Sequence, residues 1–348
     1  MKKLVSAILT CTLVLTMFAG CASGSTAPSS SIGTAPAPTE SSAAPATAEW
    51  PKTTVQLVQP NAGGGTYDAS IRLLSSDITD RTRAPFNYVN TTAGNGAVAF
   101  ETVRTAKPDG NTILVSHFVF YVKYLTGMYQ YNPVEDFDVV CSMRAANPYV
   151  LLVRADSPWQ TADDLVKAIR ENPETITCGL ELGGTSHVMA GMFAMDAGGK
   201  FKYVEAGGTN TKIPALLGGN IQVTMAAIVD SKQYIDSGEL RSLGMLTAEG
   251  ERDEMYPDYP TLVELGYKNC VWEVPLIVFA PKGTPMDIQK DIFEQYKQSA
   301  GKEEISKKLS EMNQPTVCLD TIEESKAYAA EKLELLKKVC IDIGLAEA

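Results

Sequence analysis

The sequence holds few of the residues from which catalytic and metal centres are usually built. Only two of its 348 residues are histidines, His117 and His187, which leaves few routes to a histidine-based metal site or a catalytic dyad. The motifs G-x-S-x-G and H-E-x-x-H and the phosphate-binding P-loop are absent. We therefore expect a protein that is not an enzyme and that carries neither a metal ion nor a cofactor.

Positive charge is also scarce. Lysines and arginines number 30 against 41 aspartates and glutamates, which gives a formal net charge of −11, and no lysine/arginine cluster stands out. A nucleic acid attracts a basic surface through its phosphates, so no nucleic-acid partner is expected. With 45% apolar and 20% charged residues, the chain has an ordinary globular composition and the length of two domains.

Cysteine is present, but never as C-x-x-C. Of the seven cysteines, Cys11 and Cys21 lie in the N-terminal segment and five lie further on. Their wide spacing argues against a zinc site, and the odd number leaves at least one thiol free or paired between chains. We expect most of them to be small core residues. The five are Cys141, Cys178, Cys270, Cys318 and Cys340.

Residues 1–20 have the pattern of a bacterial lipoprotein signal peptide. Two lysines precede an apolar run over residues 4–18 that is too short to span a membrane. The four residues F-A-G-C at 18–21 resemble the lipobox of bacterial lipoproteins, with phenylalanine where leucine is usual. The resemblance implies that Cys21 is lipidated and anchors the protein to the cell membrane on its extracytoplasmic side. An ordinary secretory peptide with an incidental cysteine is the alternative.

Residues 21–49 predict a flexible tether. They consist almost entirely of serine, threonine, alanine, proline and glycine. Such a segment cannot bury enough apolar surface to offset its ordering entropy. We therefore expect the globular part of the chain to begin near Trp50.

A glycine-rich turn follows the first predicted strand. The strand Val55–Val58 leads into residues 60–68, P-N-A-G-G-G-T-Y-D, and a helix follows. A strand, a glycine turn and a helix N-terminus together present backbone N–H groups to an anion. A tight connection without a ligand is the alternative, although one glycine would suffice for that. The predicted ligand contacts are Asn61, Ala62, Gly64, Gly65, Thr66 and Tyr67, with Asp68 as a structural brace of the loop.

A second turn of the same kind follows a strand near residues 176–179. Residues 181–187, E-L-G-G-T-S-H, precede a helix that we expect to begin near Val188. For the histidine in this turn, a role in capping the helix or packing in the core is the alternative to ligand contact. The predicted ligand contacts are Gly184, Thr185, Ser186 and His187.

The end of a third strand supplies one further predicted contact. The predicted strand Thr112–Ser116 ends in Ser116, and open α/β sheets bind ligands at the carboxyl ends of their strands. Residues 94–99 spell G-x-G-x-x-A, the dinucleotide fingerprint, but no acidic residue follows at the required place. We interpret these glycines as allowing a helix to pack closely against the sheet.

Eight short motifs occur in a fixed order along the chain. The first turn fits P-x-x-x-G-G-x-x-D over residues 60–68, and the second turn leads into A-G at 190–191. The others are A-K-P-D-G-N-T-I-L at 106–114, Y-N-P-V-E-D-F at 131–137, L-L-G-G at 216–219, G-E-L-R at 238–241, Y-P-T at 259–261 and A-P-K-G-T-P at 280–285. With these motifs the chain resembles, from about Trp50 to its C-terminus, the solute-binding proteins of tripartite tricarboxylate transporters, the Bug or TctC-like family.

The resemblance implies an α/β protein with the two-domain fold of periplasmic binding proteins, a Venus flytrap with the ligand cleft between the domains. The first domain would comprise residues 50–150 and 272–348, and the second residues 151–271. Members of the family hold a carboxylate through backbone amides of the two glycine turns and close around it by a hinge motion. The receptor would serve two integral membrane transporter subunits, one large and one small.

Three departures from the family leave the ligand open. Asn61 stands where an aromatic residue is common, Tyr67 where threonine is frequent, and Thr224 where the family pattern would place aspartate. The carboxylate could therefore be a dicarboxylate, a tricarboxylate, an amino acid or an aromatic acid. Two other classes of function are alternatives: a hydrolase that uses Ser186 and His187, and a surface interaction protein whose glycine turns are purely structural.

Overall fold

The computed structural model describes residues 50–347. The predictions of a signal peptide at 1–20, a tether at 21–49 and a lipid on Cys21 lie outside these residues. Within the described part, no helix is both long enough and apolar enough to cross a membrane. This part of the chain forms two β-sheets with helices on both faces of each.

Strands and helices alternate along the chain. The strands are β1 (Val55–Gln59), β2 (Phe86–Asn90), β3 (Thr112–Ser116), β4 (Phe137–Ala145), β5 (Tyr149–Arg154), β6 (Thr177–Leu180), β7 (Lys202–Glu205), β8 (Val223–Ala227), β9 (Leu240–Leu246), β10 (Leu276–Pro281) and β11 (Thr316–Cys318). The helices are α1 (Thr66–Thr82), α2 (Ala97–Arg104), α3 (Val119–Leu125), α4 (Ala162–Glu171), α5 (Thr185–Ala197), α6 (Thr209–Leu217), α7 (Ile228–Asp236), α8 (Met286–Ala300), α9 (Glu303–Glu311) and α10 (Ile322–Asp342).

The first sheet has the strand order β2-β1-β3-β10-β4-β11. β1 is parallel to β2 and β3, whereas β10 is antiparallel to β3 and β4. The chain therefore moves outward from β1 to β2 and crosses back over β1 to β3. Because α1 packs on one face of the sheet and α2 on the other, a crevice forms between the carboxyl ends of β1 and β3.

In the second sheet the chain also moves outward by one strand and then crosses back. Its order is β7-β6-β8-β5-β9, with β6 parallel to β7 and β8, and β5 antiparallel to β8 and β9. The chain passes from β6 to β7 and back over β6 to β8, with α5 and α6 on opposite faces. The second crevice therefore lies between the carboxyl ends of β6 and β8.

The chain passes between the two sheets twice. β4 leads into β5 through residues 146–148, and residues 272–275 lead from the second sheet back into β10. The passages lie side by side, since the Val274 N–H donates to the Ala145 carbonyl oxygen at 3.4 Å. β5 begins beside the end of β8, and β10 begins beside the end of β3. Both crevices therefore border the passages.

Three hydrophobic clusters hold the layers together. One lies between the first sheet and helices α1, α8 and α9, and another between the second sheet and α6. The largest continues from the α2 and α3 side of the first sheet, through Phe118 and Phe279, to Leu180 and Phe193 on the α5 side of the second sheet. The two sheets are therefore packed together in this structure.

One predicted helix boundary is wrong. The helix expected near Val188 begins at Thr185, so Ser186 and His187 belong to its first turn. Gly184 has an extended conformation and ends the turn. Serine and histidine are weak helix formers, so the sequence does not indicate that the helix begins before Val188. The start of the helix depends on contacts within the turn.

The five cysteines of residues 50–347 are free thiols, four of them buried, as predicted for core residues. The Sγ atoms of Cys141 in β4 and Cys318 in β11 lie 3.4 Å apart. The contact with Cys318 and burial both raise the pKa of the Cys141 thiol. This thiol is therefore protonated at neutral pH.

Candidate functional site

The turn after β6 contacts the helix that follows β3. The Lys123 ammonium of α3 donates to Glu181 Oε1 at 2.9 Å, and Gly183 packs against the Met128 side chain, just beyond α3, so closely that a Cβ atom would not fit. The two crevices thus belong to one concave region, which we call the cleft. We define its walls as the segments that follow the carboxyl ends of the strands: residues 60–67 and 116–123 from the first sheet, and residues 181–187, 206–212 and 227–230 from the second.

The first glycine turn is held by the carboxylate of Asp68. Gly64 has a φ of +89°, which favours glycine, and its N–H donates to Asp68 Oδ2 at 2.8 Å. Arg72 Nε donates to the same oxygen at 2.8 Å. The side-chain amides of Gln59 and Asn90 donate to Oδ1 at 2.8 and 3.1 Å. These are the contacts of a residue that braces the loop.

Asp68 is ionised although only 2% of its surface is exposed. Burial raises the pKa of its carboxyl, but the hydrogen bonds that it accepts from Arg72, Gly64 and the two amides together lower that pKa below its usual value. The charge of this carboxylate is balanced inside the turn by Arg72, which forms an ion pair with it at 2.8 Å. The turn therefore does not direct this negative charge at a ligand.

Helix α1 begins without a side-chain cap. The first N–H groups of a helix have no partner within it, so those of Thr66 and Tyr67 are available to an anion. The Tyr67 ring packs edge-on to His117, with ring centroids 4.9 Å apart. Its hydroxyl donates to the Pro275 carbonyl oxygen at 3.3 Å. Tyr67 therefore connects the first turn to a passage between the sheets.

The other predicted contacts of the first sheet differ in exposure. Asn61 is half-buried, and its amide donates to the carbonyl oxygen of the next residue at 3.2 Å. Ser116 is fully buried, and its hydroxyl donates to the His117 carbonyl oxygen at 3.4 Å. Four consecutive residues of the turn are exposed: Ala62, Gly63, Gly64 and Gly65. A ligand can therefore reach the turn directly, whereas contact with Ser116 stays a prediction.

The second glycine turn is organised by the first turn of α5. Gly184 precedes the helix, and no side chain caps it. The Glu181 N–H donates to Ser186 Oγ at 3.1 Å, and the Gly183 N–H donates to His187 Nδ1 at 3.2 Å. Ser186 and His187 thus hold the turn. The half-buried Thr185 opens the helix, and its N–H has no partner within it.

The two histidines have the same arrangement in the two walls of the cleft. His117 Nδ1 accepts from the Val119 N–H at 3.3 Å, as His187 Nδ1 accepts from a backbone N–H. The proton of each neutral ring is therefore on Nε2, which has no hydrogen-bond partner within residues 50–347. Burial lowers the pKa of His117 to about 4; burial also lowers the pKa of His187, with Glu205 opposing it. Both rings are thus neutral N–H donors at pH 7.

This geometry contradicts the hydrolase alternative. His187 Nδ1 is occupied by a backbone N–H, so no acid orients the ring, and Ser186 Oγ is not hydrogen-bonded to His187. Residues adjacent on a helix do not face each other. The pair therefore lacks the arrangement that nucleophilic catalysis requires. In the part of the chain that the structure describes, no three His, Cys, Asp or Glu side chains are placed to hold a metal ion.

The second sheet supplies a third strand–glycine–helix turn, which we did not predict. β7 ends at Glu205, and Gly207 and Gly208 precede α6, which has no side-chain cap. The Glu205 carboxylate accepts from the Leu182 and Gly207 N–H groups at 2.9 and 2.8 Å, and so joins this turn to the second one. The pattern is the one that identified the other two turns, and it brings Lys212 to the cleft.

Charged side chains also gather at this end of the second sheet. Burial lowers the pKa of Lys212 to about 8, while the negative charges of Glu181 and Asp230 act to raise it. Asp230 is exposed, yet desolvation raises the pKa of its carboxyl and Lys212 opposes this. Burial raises the pKa of Tyr149, at the start of β5, and Asp230 and Glu181 add to this effect. None of these residues was predicted as part of the site.

We expect acid to destabilise the fold through its histidines before the carboxylates titrate. Above the ordinary histidine pKa of 6.5, His117 is neutral in the folded and the unfolded chain. Below pH 6.5, His117 is protonated in the unfolded chain, whereas in the folded chain it stays neutral down to about pH 4. The free energy of unfolding should therefore fall by about 3 kcal/mol over this range, as urea unfolding at a series of pH values would show.

The matched control for this prediction is His117→Asn. An asparagine oxygen can accept the Val119 N–H in place of Nδ1, but asparagine does not titrate. The variant should show a shallower dependence of unfolding free energy on pH between 6.5 and 4. An unchanged slope in the variant would show that His117 does not carry the effect.

Comparison with known proteins gives a consistent result. The model of the family described as "Tripartite tricarboxylate transporter family receptor" (TctC) matches residues 72–345. The chain is 26% identical over 303 residues to "UPF0065 protein in gbd 5'region" of Cupriavidus necator, which covers 86% of this chain and 90% of that protein.

Two solved structures have the same fold. The periplasmic binding protein BugD aligns with a TM-score of 0.73 at 21% identity, over 86% of this chain and 100% of that one. The structure described as "R. palustris Rpa4515 with adipate" aligns with a TM-score of 0.75 at 25% identity, over 85% of this chain and 99% of that one. The predicted α/β fold of periplasmic binding proteins is thus confirmed.

Proposed function

The chain belongs to the tripartite tricarboxylate transporter receptor (TctC) family, and from this membership we propose that it binds a small organic carboxylate in the cleft between its two sheets. The family is one of receptors, so the prediction that the chain is not an enzyme is confirmed. The relative Rpa4515 is described with adipate, a carboxylate, at 25% identity. This relative supports the class of ligand for the present chain.

The observation that carries the proposal is the pairing of uncapped helix N-termini across the cleft. Helices α1 and α5 both begin directly after a glycine turn, and neither has a side-chain cap. His117 and His187 add one neutral N–H donor to each wall. Such donors stabilise an anion through local positive potential, even in a chain with a net charge of −11. The ligand contacts that we propose are those predicted from the two turns.

Closure of the cleft would occur by rotation about the two passages between the sheets. Residues 50–150 with 272–348 and residues 151–271 would then be the two moving domains. The contact between Lys123 and Glu181 joins the walls in the present structure, as expected for a closed arrangement. A ligand that contacts both walls favours closure because it binds the closed state better than the open one.

The proposed partners and location follow from the family and the N-terminal sequence. The receptor would lie outside the cytoplasmic membrane, held by a lipid on Cys21 and by the tether of residues 21–49. Its closed form would deliver the carboxylate to two integral membrane subunits, one large and one small. Such a tether lets the receptor reach those subunits without a fixed contact.

A thermal-shift screen tests the proposal. The chain from residue 21 onward, with Cys21→Ser to prevent lipidation, is tested against organic acids and amino acids, each beside its amide. A ligand at 100 times its Kd adds about 2.7 kcal/mol to the free energy of unfolding, which should raise the melting temperature by roughly 5 °C. We expect stabilisation by an acid and not by its amide.

Two results would contradict the proposal. If the protein is folded and ligand-free and no acid stabilises it, the chain does not bind a carboxylate. Equal stabilisation by an acid and its amide would show that the cleft does not recognise negative charge. Competition with the amide in excess separates specific binding from a general effect of salt.

A further inference from the structure

Two lysines are buried at the cleft, and only one of them has a partner. Lys123 is 1% exposed and forms an ion pair with Glu181 at 2.9 Å. Lys212, in the first turn of α6, is 3% exposed. Within residues 50–347 its ammonium has neither a hydrogen-bond acceptor nor a carboxylate within 4.0 Å. The second lysine is therefore a buried cation without a counter-ion.

A buried charge without a partner destabilises a fold, and lysine is almost never buried without one. Lys212 is nevertheless kept protonated, because Glu181 and Asp230 lie close enough to oppose the lowering of its pKa. Neither of them pairs with it: Glu181 already binds Lys123, and Asp230 lies further than an ion-pair distance. A counter-ion from outside the described chain can therefore bind the Lys212 ammonium.

The position of Lys212 identifies that counter-ion. It follows the third glycine turn, at the same end of the second sheet as the turn after β6 and the start of α7. Helix α6 also begins without a side-chain cap, so its first N–H groups are free to bind an anion at the start of the helix that carries Lys212. We infer that Lys212 and the start of α6 bind a second anionic group of the ligand, so that the receptor selects dicarboxylates over monocarboxylates.

This inference rests on the proposed function, since it places the second group of a ligand whose first carboxylate lies between the other two turns. Three titratable groups from the elements around α6 act on the charge of Lys212: Cys178 of β6, Glu181 after β6 and Asp230 of α7. Tyr149 of β5 lies close to two of them, Glu181 and Asp230. Burial raises the pKa of Cys178 and of Tyr149, so both stay neutral at pH 7. A ligand carboxylate therefore meets one cation here with two carboxyl groups nearby.

The test compares diacids with their monoamides. Malonate, succinate, glutarate and adipate, and the monoamide of each, are titrated into the wild-type chain by calorimetry. We expect the best diacid to bind about 30-fold or more tightly than its monoamide. In Lys212→Met this diacid should lose about 30-fold or more, whereas its monoamide should change less than about threefold.

Lys202→Met is the matched control, because Lys202 is an exposed lysine of β7 close by in the sequence. It removes the same charge from the same sheet, and we expect no change in the affinity for any acid. Without ligand, Lys212→Met should melt at a higher temperature than the wild type, since it removes a desolvated charge. A structural lysine would give the opposite shift.

The pH provides a readout that does not depend on a variant. Lys212 must be protonated to bind an anion, and its pKa in the free protein is about 8. The affinity of the wild type for the diacid should thus fall as the pH rises from 8 to 10, while that for the monoamide should stay constant.

Failure of the inference is distinct from failure of the proposed function. If no acid binds the wild type, the proposed function fails. If a monocarboxylate or a monoamide binds as tightly as the diacid, or if Lys212→Met weakens both equally, the carboxylate receptor stands and the role of Lys212 is overturned.

Discussion

Replacing Asp68 with alanine should lower the free energy of unfolding by about 3 kcal/mol and abolish ligand-dependent stabilisation. The variant leaves the Gly64 N–H, two side-chain amides and the Arg72 guanidinium without their acceptor. Arg72 is partly exposed and can recover water, which keeps the loss below the full penalty of a broken buried pair. Urea unfolding gives the stability, and calorimetric titration with the acid found in the screen gives the binding.

Two variants test this result. Asp80→Ala removes the same charge near the other end of α1, where the carboxylate is exposed, and it should change both quantities by less than about 0.5 kcal/mol. Asp68→Asn keeps one acceptor oxygen, so it should lie between the wild type and the alanine variant. If Asp68→Ala binds the acid like the wild type, the first turn does not need its brace.

The pH dependence of this contribution has a definite sign. The pKa of Asp68 is lowered in the fold from its ordinary value of 3.8. The stability that it supplies is therefore complete above that value and is lost as the pH falls further. The histidine effect appears at higher pH, so acid titration separates the two groups.

Replacing Glu181 with alanine should weaken ligand binding by about 30-fold, while the ligand-free protein unfolds almost as before. In the closed arrangement the variant leaves the Lys123 ammonium buried without a partner. Opening the cleft lets water reach that ammonium, so the substitution penalises the closed state alone. Because 42% of the Glu181 side chain is exposed, we expect about 2 kcal/mol rather than the larger value for a fully buried pair.

A double-mutant cycle isolates this ion pair from the other charges around Glu181. Lys123→Met should weaken binding less than Glu181→Ala does, because it leaves no buried charge. The double variant should then bind more tightly than Glu181→Ala alone, since the uncompensated lysine is gone. Strictly additive effects of the two substitutions would show that the pair does not link the walls of the cleft.

The predictable parts of the site are those whose determinants are local. Consecutive glycines between an apolar strand and a helix locate both predicted turns. Glycine itself allows a positive φ and lets a ligand approach the backbone, so these features can be predicted from the residue type. The bracing role of Asp68 follows from its position, but its partners Gln59 and Asn90 come from two strands. Only the pairing of β1 with β2 brings those amides to one carboxylate.

Lys212 shows why the rest of the site was missed. Read along the sequence, a lysine followed by apolar residues in a helix is an ordinary solvent-exposed position. It becomes a buried cation only because β7 lies at the edge of the sheet and α6 must cross back over β6 to reach β8. Asp230 and Tyr149 reach the same place through other strands. The strand order that unites these three residues has no local signature.

If the chain binds a carboxylate as proposed, the two passages between the sheets would determine how that ligand leaves. A single connection would let one half of the molecule swing and twist independently of the other. Two connections joined by the hydrogen bond from Val274 to Ala145 favour rotation about one axis and resist torsion. All the helix N-termini around the anion would then separate together, so no half-bound state would hold it. The residence time of the ligand would equal the lifetime of the closed form. A single energy barrier, that for opening the cleft, would then set the rate at which the ligand is released for transport.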